Sequence, residues 1–480
     1  MSPRRKPTCA AILIAVVLPE HGTAAAATGL DGAALSWPWA LPSIGILLSI
    51  AAGPLLLATL WHRHYPTISA GWAALLLLAL ALWHGPSIAW AAFVRAVLAE
   101  YLSFIVVLFA LYVVAGGIRV TGTLRGTPLA NTGLLALGTA MASVVGTTGA
   151  AMILIRPLLR ANAGRRHNLH VVVFFILLVA NIGGALSPLG DPPLFVGFLR
   201  GIDFFWPARH LWMQTAVTAA LVLGMFLLVD LWLARGDRPN ARASDHRRDP
   251  IRVKGGINFV LIGLIIACLL LSAAWRPEIG FSIFGTWVAL QNLVRDAALV
   301  LIAVLSLWLT PEEHRRANGF SWEPMREVAI LFAGIFVTII PVLAALEAGP
   351  RGLFAALLRV ITHPDGTPNE AAYFWLTGGL SAFLDNAPTY LVFFELAGGD
   401  PQALMGPLAG TLAAISLGSV YMGALTYVGN APNLMVYAIA TENGVKMPSF
   451  FGYLFWASLV LLPIFALLTL LPIAPILRLS

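Results

Sequence analysis

Runs of about twenty apolar residues recur along the chain, as at 39–61, 98–117, 212–234 and 451–471. A bilayer core roughly 30 Å thick is crossed by about 20 apolar residues in a helix. Helices also satisfy their own backbone hydrogen bonds in lipid, where water is not available. The runs therefore predict an all-α polytopic membrane protein. The hydrophobic fraction of 59% and the charged fraction of 11% are both outside the range typical of a water-soluble globule of 480 residues.

The basic residues predict how the chain is oriented. The net charge is +7, but the Lys and Arg residues lie in short loops between apolar runs, which argues against nucleic acid as a partner. Positive loops stay cytoplasmic, so Arg119 with Arg125, the stretch 156–166 and the linker 235–255 are predicted to face the cytoplasm of an inner membrane. The apolar stretch 128–155 lies between two of these clusters and must enter and leave on one side. It is therefore predicted to be a re-entrant hairpin.

Hydropathy divides the chain into two transmembrane halves, 36–234 and 256–476. Five spans and one hairpin per half give an odd number of crossings, so the second half is predicted to be an inverted repeat of the first. About ten transmembrane helices and two re-entrant hairpins are expected in total. The hairpins and the broken helices are predicted at 128–155 and 169–200 in the first half and at 371–397 and 404–438 in the second.

The N-terminal segment 1–27 contains a basic start, a short apolar run and several small residues. This pattern is typical of a signal peptide, although an uncleaved N-terminal segment is the plainer alternative. The only two cysteines are Cys9, inside this segment, and Cys268, in an apolar run. No disulfide framework is therefore expected.

Two motifs occur once in each half. GALSPLGDPP at 184–193 aligns without gaps on GALTYVGNAP at 423–432, an offset of 239 residues (423 − 184). SVVGTTGA at 143–150 aligns on SAFLDNAP at 381–388, an offset of 238 (381 − 143). Gly and Pro interrupt helices and free backbone groups, which is tolerated at membrane depth only beside a cavity or inside protein. A kink that only shapes packing is the alternative, but the repetition favours broken helices around a shared site.

The candidate binding residues lie in these motifs. Asp385 is at the predicted tip of the second hairpin, where a carboxylate costs about 2.5–3.5 kcal/mol on insertion scales, so a partner or a function is expected. Asp191 lies at the break of the first repeat. A helix cap is the plainer interpretation of the first acid and a turn that of the second. The other candidates carry neutral oxygens and could each be simple interhelical hydrogen bonds: Asn386, Asn181, Ser187, Thr389, Thr426, Asn430, Asn433, Thr147 and Thr148.

These residue types favour ion transport. A hard cation such as sodium takes several oxygen ligands, and a carboxylate allows one site to accept either a cation or a proton. The chain is therefore predicted to be a secondary active transporter and not an enzyme. The first prediction is a sodium (or other monovalent cation)/proton antiporter, with Asp385 and Asp191 as sodium ligands. Sodium and protons are then the transported or coupling ions, and no other cofactor is expected.

Two alternatives remain open. A cation-coupled citrate or dicarboxylate transporter would have to bind a polyanion without basic side chains, because 171–199 and 371–397 contain no Lys or Arg. Bound cations or helix N-termini could still compensate its charge. An intramembrane aspartyl protease would use Asp191 and Asp385 as its dyad, which requires the two carboxylates to share a proton. That interpretation leaves the repeat unexplained.

A resemblance to known transporters adds to this prediction. NIGGALSPLGD at 181–191 resembles the N-x-G-G-x-x-S-P-x-G-D signature of NhaD-type sodium/proton antiporters. These belong to the ion-transporter superfamily, which also includes arsenite and citrate carriers. LDNAP at 384–388 is similar to the D-N-x-P hairpin of the same group, and the resemblance covers roughly residues 40–475.

The resemblance implies paired hairpins and broken helices around a midplane site. The ion ligands that it implies are Asp191, Asn181, Ser187, Asp385 and Asn386. The chain departs from the antiporters after Asp191, where PPL replaces the usual hydroxyl residues, and GNAPN at 429–433 looks more like the citrate-transport branch. The expected partners are the lipid bilayer and a small ion or carboxylate, and a homodimer is left open.

Overall fold

The computed structural model describes residues 30–122, 124–235 and 250–470. The signal-like segment 1–27 with Cys9 and most of the basic linker lie outside these residues, so the predictions on them remain predictions. Within the described ranges the chain is helical apart from two small two-stranded sheets. The predicted all-α class is confirmed.

The helices and strands follow the chain in a simple order. The first half contains α1 (Leu41–Leu56), α2 (Ala58–Trp83), α3 (Pro86–Arg95), α4 (Leu102–Gly116), β1 (Arg119–Thr121), α5 (Pro128–Val145), α6 (Thr147–Asn162), α7 (Leu169–Leu178), α8 (Pro192–Leu199) and α9 (Trp206–Ala234). The second half contains β2 (Arg252–Lys254), α10 (Ile257–Ala274), β3 (Gly280–Ile283), β4 (Thr286–Ala289), α11 (Leu290–Leu309), α12 (Glu312–Ala317), α13 (Glu323–Thr338), α14 (Ile340–Glu347), α15 (Ala355–Val360), α16 (Glu370–Ser381), α17 (Asn386–Leu396), α18 (Pro401–Met405), α19 (Ala409–Met422), α20 (Ala431–Glu442) and α21 (Phe450–Leu470).

Eight helical segments in the described ranges are long and apolar enough to cross a bilayer. The pair α13 and α14, which bends by 43° at its junction, would make a ninth. The sequence-based count of about ten differs in two ways: it assigns α5 to the hairpin 128–155, and it includes α1 and α19, which are short, with 16 and 14 residues. The chain is therefore a multi-pass membrane protein of the predicted class.

Several helix bounds differ from those predicted by hydropathy. Helix α2 begins at Ala58, whereas hydropathy placed its start near residue 67. A π-helical segment at Ala96–Tyr101 connects α3 directly to α4, so one continuous helix runs from Pro86 to Gly116. Polar residues near helix ends lower the local hydropathy without ending the helix, which explains these differences.

The sheet of β1 and β2 joins the two halves. Its strands are antiparallel, with Arg119 opposite Lys254 and Thr121 opposite Arg252. The basic loop after α4 and the end of the basic linker therefore lie side by side on one face of the protein, which we call the basic face. That this face is cytoplasmic remains a prediction.

Helices α7 and α19 occupy the centre of the molecule, where almost every side chain of both is buried. Both are apolar on all sides, as expected of helices that are surrounded by other helices. Around them, α5 packs against α6 and α16 packs against α17. The two halves also pack crosswise, because α8 contacts α17 and α20 contacts α6. The short helix after each break therefore lies against the second arm of the other half's hairpin.

Candidate functional site

Four helices begin close together in the interior: α6, α8, α17 and α20. Hydrogen bonds join residues at their first turns directly to one another. Each helix N-terminus carries a partial charge of about +0.5, which favours negatively charged groups at the common point. Helix α8 has eight residues, which gives a length of about 12 Å. That length is less than half of a bilayer core of roughly 30 Å, so α8 alone is too short to cross it. The midplane position of the site remains a prediction.

Asp191 is the hub of this region and is only 1% exposed. Its Oδ1 accepts hydrogen bonds from the Thr147 hydroxyl at 3.0 Å and from the Asn430 amide at 2.9 Å. Its Oδ2 accepts one from the Asn386 amide. The three donors come from α6, from the start of α20 and from α17. The Asp191 side chain thus links both halves through three hydrogen bonds.

Three asparagine amides extend this network along the broken helices. Asn181 donates to the Asn433 side-chain oxygen at 2.8 Å, and Asn430 donates to the Asn181 side-chain oxygen at 3.2 Å. Asn433 in turn donates to the backbone oxygens of Gly423 and Thr426, each at 2.9 Å. These bonds satisfy carbonyl groups that the helix breaks have freed, as is required at membrane depth.

Ser187 and Thr426 hold each broken helix to the hairpin of its own half. The Ser187 hydroxyl donates to the backbone oxygen of Ser143, and the Thr426 hydroxyl donates to that of Ala382. Both pairs are 44 residues apart, so the two contacts are equivalent. The Ser143 hydroxyl makes a second contact with the broken helix, donating to Gly183 O at 2.5 Å. Ser143 was not among the predicted site residues.

This equivalence corrects the alignment of the two hairpins. Helix α6 follows Gly146 and helix α17 follows Asp385, which is an offset of 239 residues (385 − 146), equal to that of the broken helices. Thr147 therefore corresponds to Asn386, not to Asp385 as the aligned serines had suggested. Ser381 misled the alignment because its hydroxyl has another role, donating to Ser419 O at 2.7 Å.

At each helix break two glycines allow the backbone to approach itself closely. A Cβ on Gly190 would be 2.1 Å from the Gly184 oxygen, and a Cβ on Gly429 would be 2.6 Å from the Gly423 oxygen. Both distances are far inside van der Waals contact, and both clashes are with backbone. The same close approach in both halves explains why these glycines recur in the repeated motif.

We expect Gly190→Ala and Gly429→Ala to lower the thermal unfolding temperature of the detergent-solubilised protein clearly, since overpacking of this kind costs about 1–3 kcal/mol. The matched control is Gly263→Ala in α10, where a Cβ would meet nothing within 4 Å. The control should unfold at or slightly above the wild-type temperature. Equal unfolding temperatures for all three variants would show that the breaks do not depend on this close approach of the glycines.

Asp385 is half-buried and caps α17, because its Oδ1 accepts from the Ala387 amide at 3.1 Å. The Thr389 hydroxyl donates to the Asp385 backbone oxygen at 3.0 Å, so it closes the first turn of α17 and does not contact Asp191. Thr148 is half-buried in the first turn of α6 and takes no part in the hydrogen bonds of Asp191. Hydrogen bonds thus join seven of the predicted residues in one network, namely Asp191, Thr147, Asn386, Asn430, Asn181, Asn433 and Thr426. In the part of the chain that the structure describes, they do not connect Asp385, Ser187, Thr389 or Thr148 to it.

Asn386 has a buried side-chain oxygen without a hydrogen-bond partner within the described ranges. Its amide nitrogen is used by Asp191. Leaving a buried acceptor unpaired costs about 1–3 kcal/mol, and amide oxygens are ligands for hard cations. The described residues contain no group of three or more His, Cys, Asp or Glu side chains that could hold a metal. A cation here would therefore be bound by amide, hydroxyl and backbone oxygens with the two acids.

The side chains of the two acids bond to different groups within the described ranges. Among the described residues, Asp191 bonds only to hydroxyl and amide donors, and the side chain of Asp385 accepts from a backbone amide. No Lys, Arg or His of that part of the chain forms an ion pair with either acid. The two acids and their amide and hydroxyl neighbours provide oxygens for a cation.

A second buried polar cluster was missed by sequence reasoning. Asp230, on α9, is fully buried, with its Oδ1 2.9 Å from His170 Nε2 and in an ion pair with Arg165. Its Oδ2 accepts from the Asn131 amide at 2.9 Å. The sequence signal for this cluster was an acid inside an apolar run. Its partners could not be predicted, because they come from three other segments. The cluster fixes the base of the first hairpin to α9.

The fold and the site together define a polytopic all-α membrane protein in which interrupted helices from two halves meet at a buried carboxylate. Residues 32–473 match the family described as "Putative citrate transport", and the chain belongs to that family. This confirms the resemblance to the citrate-transporter-like branch of the ion-transporter superfamily. The protein is accordingly a secondary transporter. No curated protein matches the chain.

Proposed function

We propose that this protein transports a small carboxylate, of the citrate or dicarboxylate class, together with a monovalent cation. The observation that carries the proposal is that four helix N-termini meet at Asp191 and Asp385, and that no basic side chain in the described part of the chain pairs with either acid. Helix N-termini bind carboxylates through backbone amides and the helix dipole. The description of the family to which the chain belongs supports the same substrate class.

The charges of the region explain why a cation is needed. Four helix N-termini contribute about +2 in total, which two ionised carboxylates would offset. A citrate or dicarboxylate that enters such a site finds no spare positive charge and is repelled by the two acids. One or more cations bound with the anion would remove this repulsion. Cation binding and anion binding are then coupled by electrostatics alone.

The cation is expected beside the unpaired oxygen of Asn386. This oxygen is adjacent to Asp385 along the chain, and the amide of the same side chain contacts Asp191. A sodium ion there would gain an amide oxygen and at least one carboxylate oxygen, which are ligand types that hard cations prefer. Asp385 keeps one oxygen free of the α17 cap, because only Oδ1 accepts from Ala387.

A sodium/proton antiporter is the second candidate. It is favoured by the two acids, because a carboxylate without a basic partner can exchange a proton for a cation. An antiporter binds no substrate anion, so the four converging helix N-termini would have only the two acids to stabilise. We therefore rank it below the carboxylate transporter.

The test is uptake by purified protein in proteoliposomes. Radiolabelled citrate and succinate are offered with an inward gradient of sodium, lithium, potassium or protons, and internal pH is followed with a trapped dye. We expect saturable uptake of a carboxylate that requires one of the cation gradients. Sodium- or lithium-induced pH changes without uptake of either carboxylate would instead establish the antiporter.

A further inference from the structure

Arg200 connects three separate elements at one end of the site helices. It follows the last residue of α8, and its guanidinium is 3.1 Å from Glu395 on α17 and 3.4 Å from Glu100 on the π-helical segment before α4. Glu395 is 7% exposed, and the other two side chains are about a quarter exposed or less. The ion pairs thus tie the α8 and α17 pair to the helix that contains α4.

Glu347, at the end of α14, also acts electrostatically on Glu395. Arg200 therefore pairs with two members, Glu395 and Glu100, of a group of three acids that come from the hairpin and from two flanking helices. Without its guanidinium, Glu395 would face Glu100 and Glu347 as like charges. Loss of Arg200 would replace an attraction with a repulsion, which pushes α17 away from the flanking helices.

Arg156, on α6, makes the corresponding contact at the other end of the molecule. Its guanidinium donates to the backbone oxygen of Asn318, in the loop after α12, and lies near Glu442 at the end of α20. The Asn318 amide in turn donates to the backbone oxygen of Gly116 at 3.1 Å. Arg156 thus ties the α6 and α20 pair to the C-terminal end of α4.

The two contacts lie at opposite ends of one helix. Glu100 and Gly116 are 16 residues apart in the continuous helix from Pro86 to Gly116, which gives a separation of about 24 Å. Arg156 and Glu395 also occupy equivalent positions of the two hairpins, at the offset of 239 residues (395 − 156). The side chain at this position is basic in the first hairpin and acidic in the second.

We propose that Arg200 and Arg156 are positioning residues that hold the site closed toward opposite faces of the membrane. The Arg200 contacts, which we call the acidic latch, close the face opposite the basic face. The Arg156 contacts, which we call the basic latch, close the basic face. Both latches are formed in this structure, and transport requires each to open in turn. A carrier must expose its site to one face at a time, and two latches on one helix provide separate control of the two faces.

The test measures access to the site from each face. Both native cysteines are replaced, and a single reporter cysteine is placed at Ala387, the buried second residue of α17, which a maleimide can reach only when the site opens. A membrane-impermeant maleimide is added to either face of oriented vesicles. We expect Arg200→Gln to raise the labelling rate about tenfold from the face opposite the basic face, since a charge-assisted contact is lost. Arg156→Gln should raise it from the basic face.

A charge swap distinguishes loss of the ion pair from a folding defect in the single variants. Arg200→Glu alone adds a fourth acid to the acidic latch, whereas Arg200→Glu combined with Glu395→Arg returns an arginine to the same group. The double variant should regain the wild-type labelling rate. Increased labelling from the same face in both Gln variants, or no recovery in the swap, would overturn the proposal. Because labelling needs no transported carboxylate, this result is independent of the proposed function.

Discussion

Replacing Asp385 with asparagine is expected to reduce cation-driven carboxylate uptake by at least about 100-fold while the protein stays folded. Asparagine caps helices about as well as aspartate, so the bond to the Ala387 amide can be kept. The change removes one negative charge beside the unpaired Asn386 oxygen, which weakens cation binding. Uptake is measured in proteoliposomes, and folding is measured as the thermal unfolding temperature in detergent.

The matched control for this variant is Asp400→Asn. Asp400 caps α18 in the same way, accepting from the Gln402 amide at 2.9 Å, but it is exposed and lies outside the site motifs. Both variants should unfold at nearly the wild-type temperature, and only the control should transport normally. Normal cation-driven uptake by the Asp385→Asn variant would show that the cation does not bind at Asp385.

Replacing Asp191 with asparagine is expected to damage both transport and stability. Asp191 only accepts hydrogen bonds, and three donors converge on it. An asparagine directs its own NH₂ at one of these donors, which leaves buried groups unpaired at a cost of about 1–3 kcal/mol. Uptake should fall by about 100-fold or more, and the unfolding temperature should drop. The control is Asp203→Asn, where the acid is half exposed and pairs only weakly with Arg209 at 3.7 Å.

The fold class was predictable because its signals are local. Apolar runs and Gly/Pro breaks are read within short windows, and an acid such as Asp191 or Asp385 stands out because it is costly in an apolar span. The repeated motif also predicted that both halves contribute to one site. The comparison with known families confirms the family and leaves the transported substrate as a proposal.

The partners within the site were not predictable from the same signals. Asp191 is bound by residues from segments 44, 195 and 239 residues away, and no local pattern encodes such pairings. The crosswise packing of α8 on α17 and of α20 on α6 arises only in three dimensions. Matching Ser143 to Ser381 by identity was wrong by one residue, since the equivalent contact uses the backbone oxygen of Ala382 and is insensitive to the side chain.

The acidic latch illustrates the same limit. Arg200 and Glu100 are 100 residues apart, and each alone is an ordinary charged residue near a helix end. The reversal of charge between Arg156 and Glu395 becomes visible only after the corrected offset is applied. The sequence repeat therefore indicated which positions are equivalent in the two halves, and the structure was needed to show which residues contact each other.

The most direct test of the central claim combines Asp191→Asn with Asn430→Asp. These residues occupy equivalent positions in the two halves and bond to each other at 2.9 Å. Asn430→Asp alone places two acids together, and the double variant restores one acid and one amide at the same point. If the two halves meet as described, the double variant will unfold at a higher temperature than either single variant, with a coupling of about 0.5–3 kcal/mol. Losses that simply add would contradict a site shared by the two halves.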